Sequence, residues 1–107
     1  MRRNTMPKLK IILHTKPGVT FEEEHVSGQK YLDFWNMKAD FEDNQDKYSV
    51  VDIIEKRLEF TASLFSSDEI TAASILEGTN PWDLMPLLNS IENIIIGAED
   101  NESKKEQ

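Results

Sequence analysis

Two histidines, His14 and His25, are the residues of this 107-residue chain best suited to move a proton near neutral pH or to hold a metal. Both fall around one predicted β-hairpin, so they can approach each other across it. A zinc site would then need a third ligand, and only Glu23 or Glu24 stands close enough in sequence. Two surface histidines are the simpler reading, and the sequence is read as having no metal site. The chain has no cysteine, which removes thiolate nucleophiles, disulfides and Cys-based zinc sites together and fits a reducing compartment. Its four glycines, at 18, 28, 78 and 97, stand singly at turns or helix ends and form no phosphate-cradling loop. No serine sits in a nucleophile elbow. With 20 acidic residues some carboxylates must lie close together, so nearness alone identifies no acid–base pair. The chain is therefore expected to be no enzyme and to need no cofactor.

What remains is recognition chemistry. The formal charge is −8, and it is unevenly spread. Residues 1–26 carry five Lys/Arg against three Asp/Glu, whereas no Lys or Arg occurs from Leu58 to Ser103. Such a surface repels phosphates, so no nucleic-acid partner is expected. It can attract a basic protein or simply maintain solubility. The aromatic group Tyr31, Phe34, Trp35 and Phe41 could stack bases, but at helical spacing in an acidic helix it reads as core. Trp82 lies in the stretch LEGTNPWDLMPLL, residues 76–88, and is open to two readings. Buried, it would staple the last helix to the preceding one. Exposed beside acidic side chains, it would anchor a docked protein. The candidate partner-binding residues are Trp82, Met85, Asp68, Glu69, Glu77 and Asp83.

These residues need elements to hold them. The length suits one domain, able to bury roughly two-thirds of the surface its unfolded chain exposes. No apolar run approaches a membrane span. The N-terminus, basic with only a short apolar patch from Leu9 to Leu13, reads as mature sequence and not a leader. Lys16-Pro17-Gly18 is a turn signal between β-prone Lys10–Thr15 and Val19–Phe21, so residues 8–26 are expected to form a hairpin, with the Glu22–Glu24 run at or past its second strand. A first helix follows, with Ser27 as its N-cap, then a loop over Glu42–Lys47. A second helix spans about Tyr48–Phe65 with a stripe of Val51, Ile54, Leu58, Thr61 and Phe65. Ser66 and Glu69 match a capping box for a short third helix ending at Gly78, read as its C′ residue. The last helix starts at Pro81 behind Asn80, with Asp83 in its first turn. It carries Leu84, Leu87, Leu88, Ile91 and Ile95 on one face and closes at Gly97. Pro86 inside it should kink or tighten its start. The expected fold is mainly α, an N-terminal hairpin and about four helices over residues 1–98, with a disordered acidic tail over 99–107.

The second half resembles a known family. Arg57, Glu59, Phe60, Ala62, Leu64 and Phe65, then Thr71, Ile75, Leu76 and Gly78, then Leu84, Pro86, Ile91 and Gly97 follow its pattern. That family is the small tail assembly chaperones of long-tailed bacteriophages (siphoviruses) of Gram-positive hosts. The likeness is good over about residues 45–98 and looser over the hairpin, and the GTNPW spacer departs from the charged spacer of the family pattern.

The resemblance implies a short-form chaperone, phage- or prophage-encoded upstream of the tape measure protein. It would bind that protein in the host cytoplasm, keep it soluble, promote polymerisation of the major tail protein around it, and stay out of the finished virion. It also implies a longer form made by ribosomal frameshifting, for which Lys104-Lys105 is a weak signal. Self-association through a hairpin edge or helix face fits as well. Two rivals stand beside it: an acidic DNA mimic that blocks a host nucleic-acid-binding protein, and a structural head–tail connector subunit.

Overall fold

The computed structural model describes residues 9–98; the expected C-terminal tail over 99–107 lies outside them. β1 (Leu9–Ile12) and β2 (Thr20–Glu23) form an antiparallel pair, followed by α1 (Gln29–Asp43), α2 (Val50–Ser63), α3 (Ala72–Gly78) and α4 (Pro81–Ile96). The hairpin-then-helices architecture is the one expected.

The hairpin register pairs Leu9 with Glu23 and Ile12 with Thr20. The period-2 alternation of a strand buries Leu9 and Ile11 and exposes Lys10 and Ile12. The strands are shorter and displaced relative to expectation, and Glu22 and Glu23 lie within β2. Their connection is longer because two turns follow each other in it. The Lys16 N–H donates to the Leu13 carbonyl, and the Val19 N–H to that of Lys16. The second turn has Pro17 and Gly18 at its centre with Gly18 at φ +81°, the positive φ that a type II turn demands.

Local chemistry sets the helix starts, and two differ from expectation. Gly28, not Ser27, precedes α1 as its cap residue, and the Ser27 hydroxyl accepts from the Gln29 N–H at 3.1 Å. A short 3-10 turn, Gln45–Lys47, fills the expected loop, and α2 begins with a capping box between Ser49 and Asp52. The expected Ser66–Glu69 box does not form. Both the N–H and the hydroxyl of Ser66 donate to the Glu23 carboxylate of β2 at 2.8 Å, and the Glu69 N–H donates to the Ser67 hydroxyl at 3.1 Å, so neither bond of the box is made. α3 starts five residues later, where Thr71 and Ser74 cap each other.

α4 matches expectation from Asn80 to Gly97, which closes it at φ +76°. Pro86 neither ends nor divides it. The missing N–H of Pro86 leaves the Trp82 carbonyl without its intrahelical donor. Trp82 and Pro86 are both exposed, so water can serve that carbonyl. Gly78 is the last residue of α3 and not a C′ residue. Its role is close approach: a Cβ there would meet the Leu13 Cβ at 2.7 Å.

The core draws Leu9, Ile11 and Leu13 from the hairpin, Phe34 from α1, Leu58 and Phe60 from α2, Ile75 from α3, and Leu88 and Ile91 from α4. Thr61 and Phe65 join it as expected, but Val51 is exposed. Of the α1 aromatics only Phe34 is buried; Phe41 is half-buried against Tyr48, while Tyr31 and Trp35 are exposed. α1 lays a narrow Phe34–Met37 ridge on the core, and the rings beside it stay in solvent.

Candidate partner-binding surface

α2 and α4 are clamped by one ion pair that is absent from the sequence-based expectations. The Arg57 guanidinium donates through Nε to Glu92 Oε2 at 2.8 Å and through one terminal nitrogen to Oε1 at 2.9 Å. The same nitrogen donates to Asn89 Oδ1 at 2.7 Å. Both charged side chains are largely buried. A fork of this kind fixes two helices in register as well as joining them. The sequence signal was a carboxylate one turn beyond Leu88 within the apolar stripe of α4.

With its inner face held, α4 presents its first two turns outward. Trp82 is 74 % exposed, so the staple reading is overturned: the ring has no buried partner to staple to. Met85, three residues on and therefore on the same side, is 37 % exposed. Leu76 near the end of α3 is 47 % exposed, and Glu77 beside it is exposed. Asp83 is exposed in the first turn of α4, where its charge suits the helix dipole. Trp82, Asp83 and Met85 thus share one turn of helix, and Glu77 stands just across the Gly78–Asn80 connection. Asp68 and Glu69 are also exposed but lie on the α2–α3 connection. Glu69 pairs with Lys16 of the hairpin loop at 2.9 Å, and among the described residues no hydrogen bond or ion pair joins either acid to α4.

Two further features flank this surface. An open cleft of about 260 Å³ runs between β1 and the start of α4, with Lys10, Ile12, Thr79, Asp83 and Leu87 among its lining residues. Elsewhere, at the α1–α2 corner, the Tyr48 hydroxyl donates to Asp40, whose other oxygen accepts from Asn44 Nδ2 at 2.7 Å. The Tyr48 hydrogen bond, then that of Asn44, holds the Asp40 carboxyl below its ordinary range. The same bond raises the Tyr48 phenol. His14 lines the β1 cleft, and His25 lies between β2 and α1. Among the described residues no group of three or more His, Asp or Glu side chains is placed to hold a metal ion, and no helix is long and apolar enough to cross a membrane.

The described residues offer this surface an exposed indole and thioether, carboxylates near them, and a cleft along a strand. No curated protein and no solved structure matches the chain. A family model described as phage tail chaperone protein matches residues 6–107, hairpin and helices alike. On a match of that extent the chain belongs to the phage tail chaperones, proteins of tail assembly.

Proposed function

We propose that this chaperone binds the tape measure protein in the host cytoplasm, holds it in solution, and yields it to the major tail protein as the tail tube polymerises. The observation that carries the reading is Trp82, three-quarters exposed on a helix whose other face is locked into the core. A large ring held in water on a rigid support is the usual form of an interface anchor. Around it Glu77 and Asp83 supply negative charge, and from Leu58 to Ser103 no Lys or Arg offsets it.

A tape measure protein long enough to span a tail exposes much apolar helical surface before the tube encloses it, and bare surface of that kind aggregates. An amphipathic client helix laid on Leu76, Trp82 and Met85 would bury that surface. Carboxylates at the rim would speed encounter with a basic client and set its register, while the apolar contacts supply the affinity. Many weak sites along one filament hold it by avidity and still release it to a competitor. Release by competition leaves no chaperone in the finished virion.

The test is co-expression with the tape measure protein of the same phage. The chaperone should keep it soluble and co-purify with it, and Trp82→Ala should lower both by at least tenfold. An E77Q/D83N variant should weaken capture at low salt and lose most of the salt dependence. Full capture by Trp82→Ala would remove the anchor, and equal capture by the neutralised variant at low and high salt would remove the rim. A tape measure protein that stays insoluble with the wild-type chaperone would overturn the proposal itself.

A further inference from the structure

Pro86 stands well inside α4, where proline is the poorest of helix formers. Pro81 starts the same helix without that cost, because the first N–H groups of any helix have no intrahelical partner. The effect of Pro86 falls on one atom. An N–H at position 86 would bond the carbonyl oxygen of Trp82, four residues earlier, and proline has none. Among the described residues no backbone N–H from outside α4 and no side chain donates to that oxygen either. Trp82, Met85, Pro86 and Asn89 share one side of the helix and are all exposed, so the oxygen stands open beside the indole.

A carbonyl oxygen accepts and never donates, so an occupant that matches it must bring a donor. Its neighbours favour a charged one. The face of an indole attracts a cation. Glu77 and Asp83 are exposed close by in the chain, and no Lys or Arg occurs from Leu58 to Ser103. Arg57, on the neighbouring helix, is already held by Glu92 and Asn89. Lys10 and His14 line the cleft with Asp83 and Leu87, which lie at least a quarter-turn round the helix from Trp82.

We propose that the Trp82 carbonyl, opened by Pro86, is the acceptor for a lysine or arginine of the tape measure helix that docks on this surface. The cation displaces water from the oxygen and donates to it while lying beside the indole, and a charged donor makes the stronger bond. Pro86 thereby discriminates among client helices. A helix that covers Trp82 and Met85 without bringing a donor leaves the oxygen dehydrated and unpaired, which weakens its binding. This rests on the reading that the chain binds the tape measure protein, and names which of that protein's helical segments the surface takes.

The test compares the full chain carrying Pro86→Ala with the full chain carrying Pro81→Ala. Alanine at 86 supplies the missing N–H, so that amide should be protected from hydrogen exchange and the thermal midpoint should rise. Capture of the tape measure protein should nevertheless fall about tenfold, the loss that follows removal of one charged hydrogen bond. Pro81→Ala changes no intrahelical acceptor and should capture as the wild type does. Lactic acid at position 86, introduced by peptide ligation, lacks both the ring and the N–H and should rescue the capture lost with alanine. Pro86→Ser supplies the same N–H and repeats the comparison if the alanine chain fails to fold.

The client is then varied, each lysine and arginine in turn to glutamine. One replacement should cost about tenfold with the wild-type chaperone and little with Pro86→Ala, and its identity shows which cation is used. Undiminished capture by Pro86→Ala overturns the proposal. So does an equal loss with lactic acid, because the client then meets the ring and not the oxygen. Client replacements that cost the same with both chaperones overturn it too, since the donor is then no cation. Each of these results leaves the function standing, whereas a wild-type chaperone that fails to capture the tape measure protein would sink the function first.

Discussion

The two faces of α4 are built from neighbouring residues and have opposite tasks. Inward, Leu88 and Ile91 are fully packed and Glu92 is tied to Arg57. Outward, Trp82 and Met85 remain in solvent at the start of the same helix. The inward side chains raise the free energy of unfolding; the outward ones lower it or leave it alone. The difference teaches that on one helix hydrophobicity by itself does not distinguish core from contact surface. The other side of the helix must be fixed before an exposed ring can act as an anchor.

The comparison breaks most visibly at the buried ion pair. Arg57→Ala strands the Glu92 carboxylate among apolar groups and should cost about 3–5 kcal/mol, read by denaturant unfolding. Pairing Arg57→Met with Glu92→Leu removes both charges together and should recover most of that loss. A double variant no better than Arg57→Ala would mean that the fork does more than neutralise charge, for instance by holding α2 in register through Asn89.

A smaller cost is expected where α3 approaches the hairpin. Gly78→Ala places a methyl 2.7 Å from the Leu13 Cβ and should destabilise by about 1–3 kcal/mol as the hairpin end moves away. Because the His14–Gly78 bond closes the end of β1, the shift should also appear as faster exchange of the His14 amide. Unchanged stability would show that the hairpin can slide over α3 without loss.

How much of this was legible in the sequence follows from how local each cause is. Pro17-Gly18, Asn80-Pro81 and Gly97 were readable because a turn or a helix end depends on the φ that one residue permits. Ser66 was misread because the group that captures it, Glu23, stands 43 positions away and on another element. The aromatics of α1 were misread in part because periodicity identifies a face but not its width, and only the Phe34–Met37 ridge finds a cover. At the candidate site the residue types were legible in Trp82, Asp83 and Met85, but the exposure of the indole was not, since it depends on which elements pack against the start of α4. The cleft was wholly illegible, because it exists only where a sheet edge meets the start of a helix.

The α1–α2 corner extends the comparison to polar groups that are held but not deeply buried. Hydrogen bonds to Tyr48 and Asn44 hold the Asp40 carboxyl low, so folding favours its ionised form. That contribution is present above the unfolded-state value of about 4 and fades as pH falls through the lower folded value. Tyr48 has the opposite sign: its phenol is raised, so its contribution is present below about 10 and fades as pH rises through the folded value. Tyr48→Phe should therefore flatten the stability profile at both ends and leave its middle nearly level. Monitoring thermal unfolding from acid to alkaline pH would show it, and an unaltered acid limb would rule out the Asp40–Tyr48 bond as its source.

The smallest expected change in stability is the most informative about function. Trp82→Ala removes a side chain that is 74 % exposed and has no buried partner, so unfolding should shift by no more than about 0.5 kcal/mol. It also removes a bulky group from the second helical position and leaves alanine, a better helix former, which acts against even that small loss. A residue that costs nothing to delete from the folded protein and yet costs tenfold in capture of the tape measure protein can only be working across an interface. Leu88→Ala is the matched control. It should lose about 2–5 kcal/mol because it opens a cavity under the same helix. Its residual folded fraction should capture the client normally at a temperature well below its own midpoint. If Trp82→Ala proves as destabilising as Leu88→Ala, the indole packs against the protein in solution and the division of α4 into a core face and a contact face fails. If both variants capture normally while folded, the division survives and the contact lies elsewhere, with the exposed Tyr31 and Trp35 of α1 the next surface to truncate.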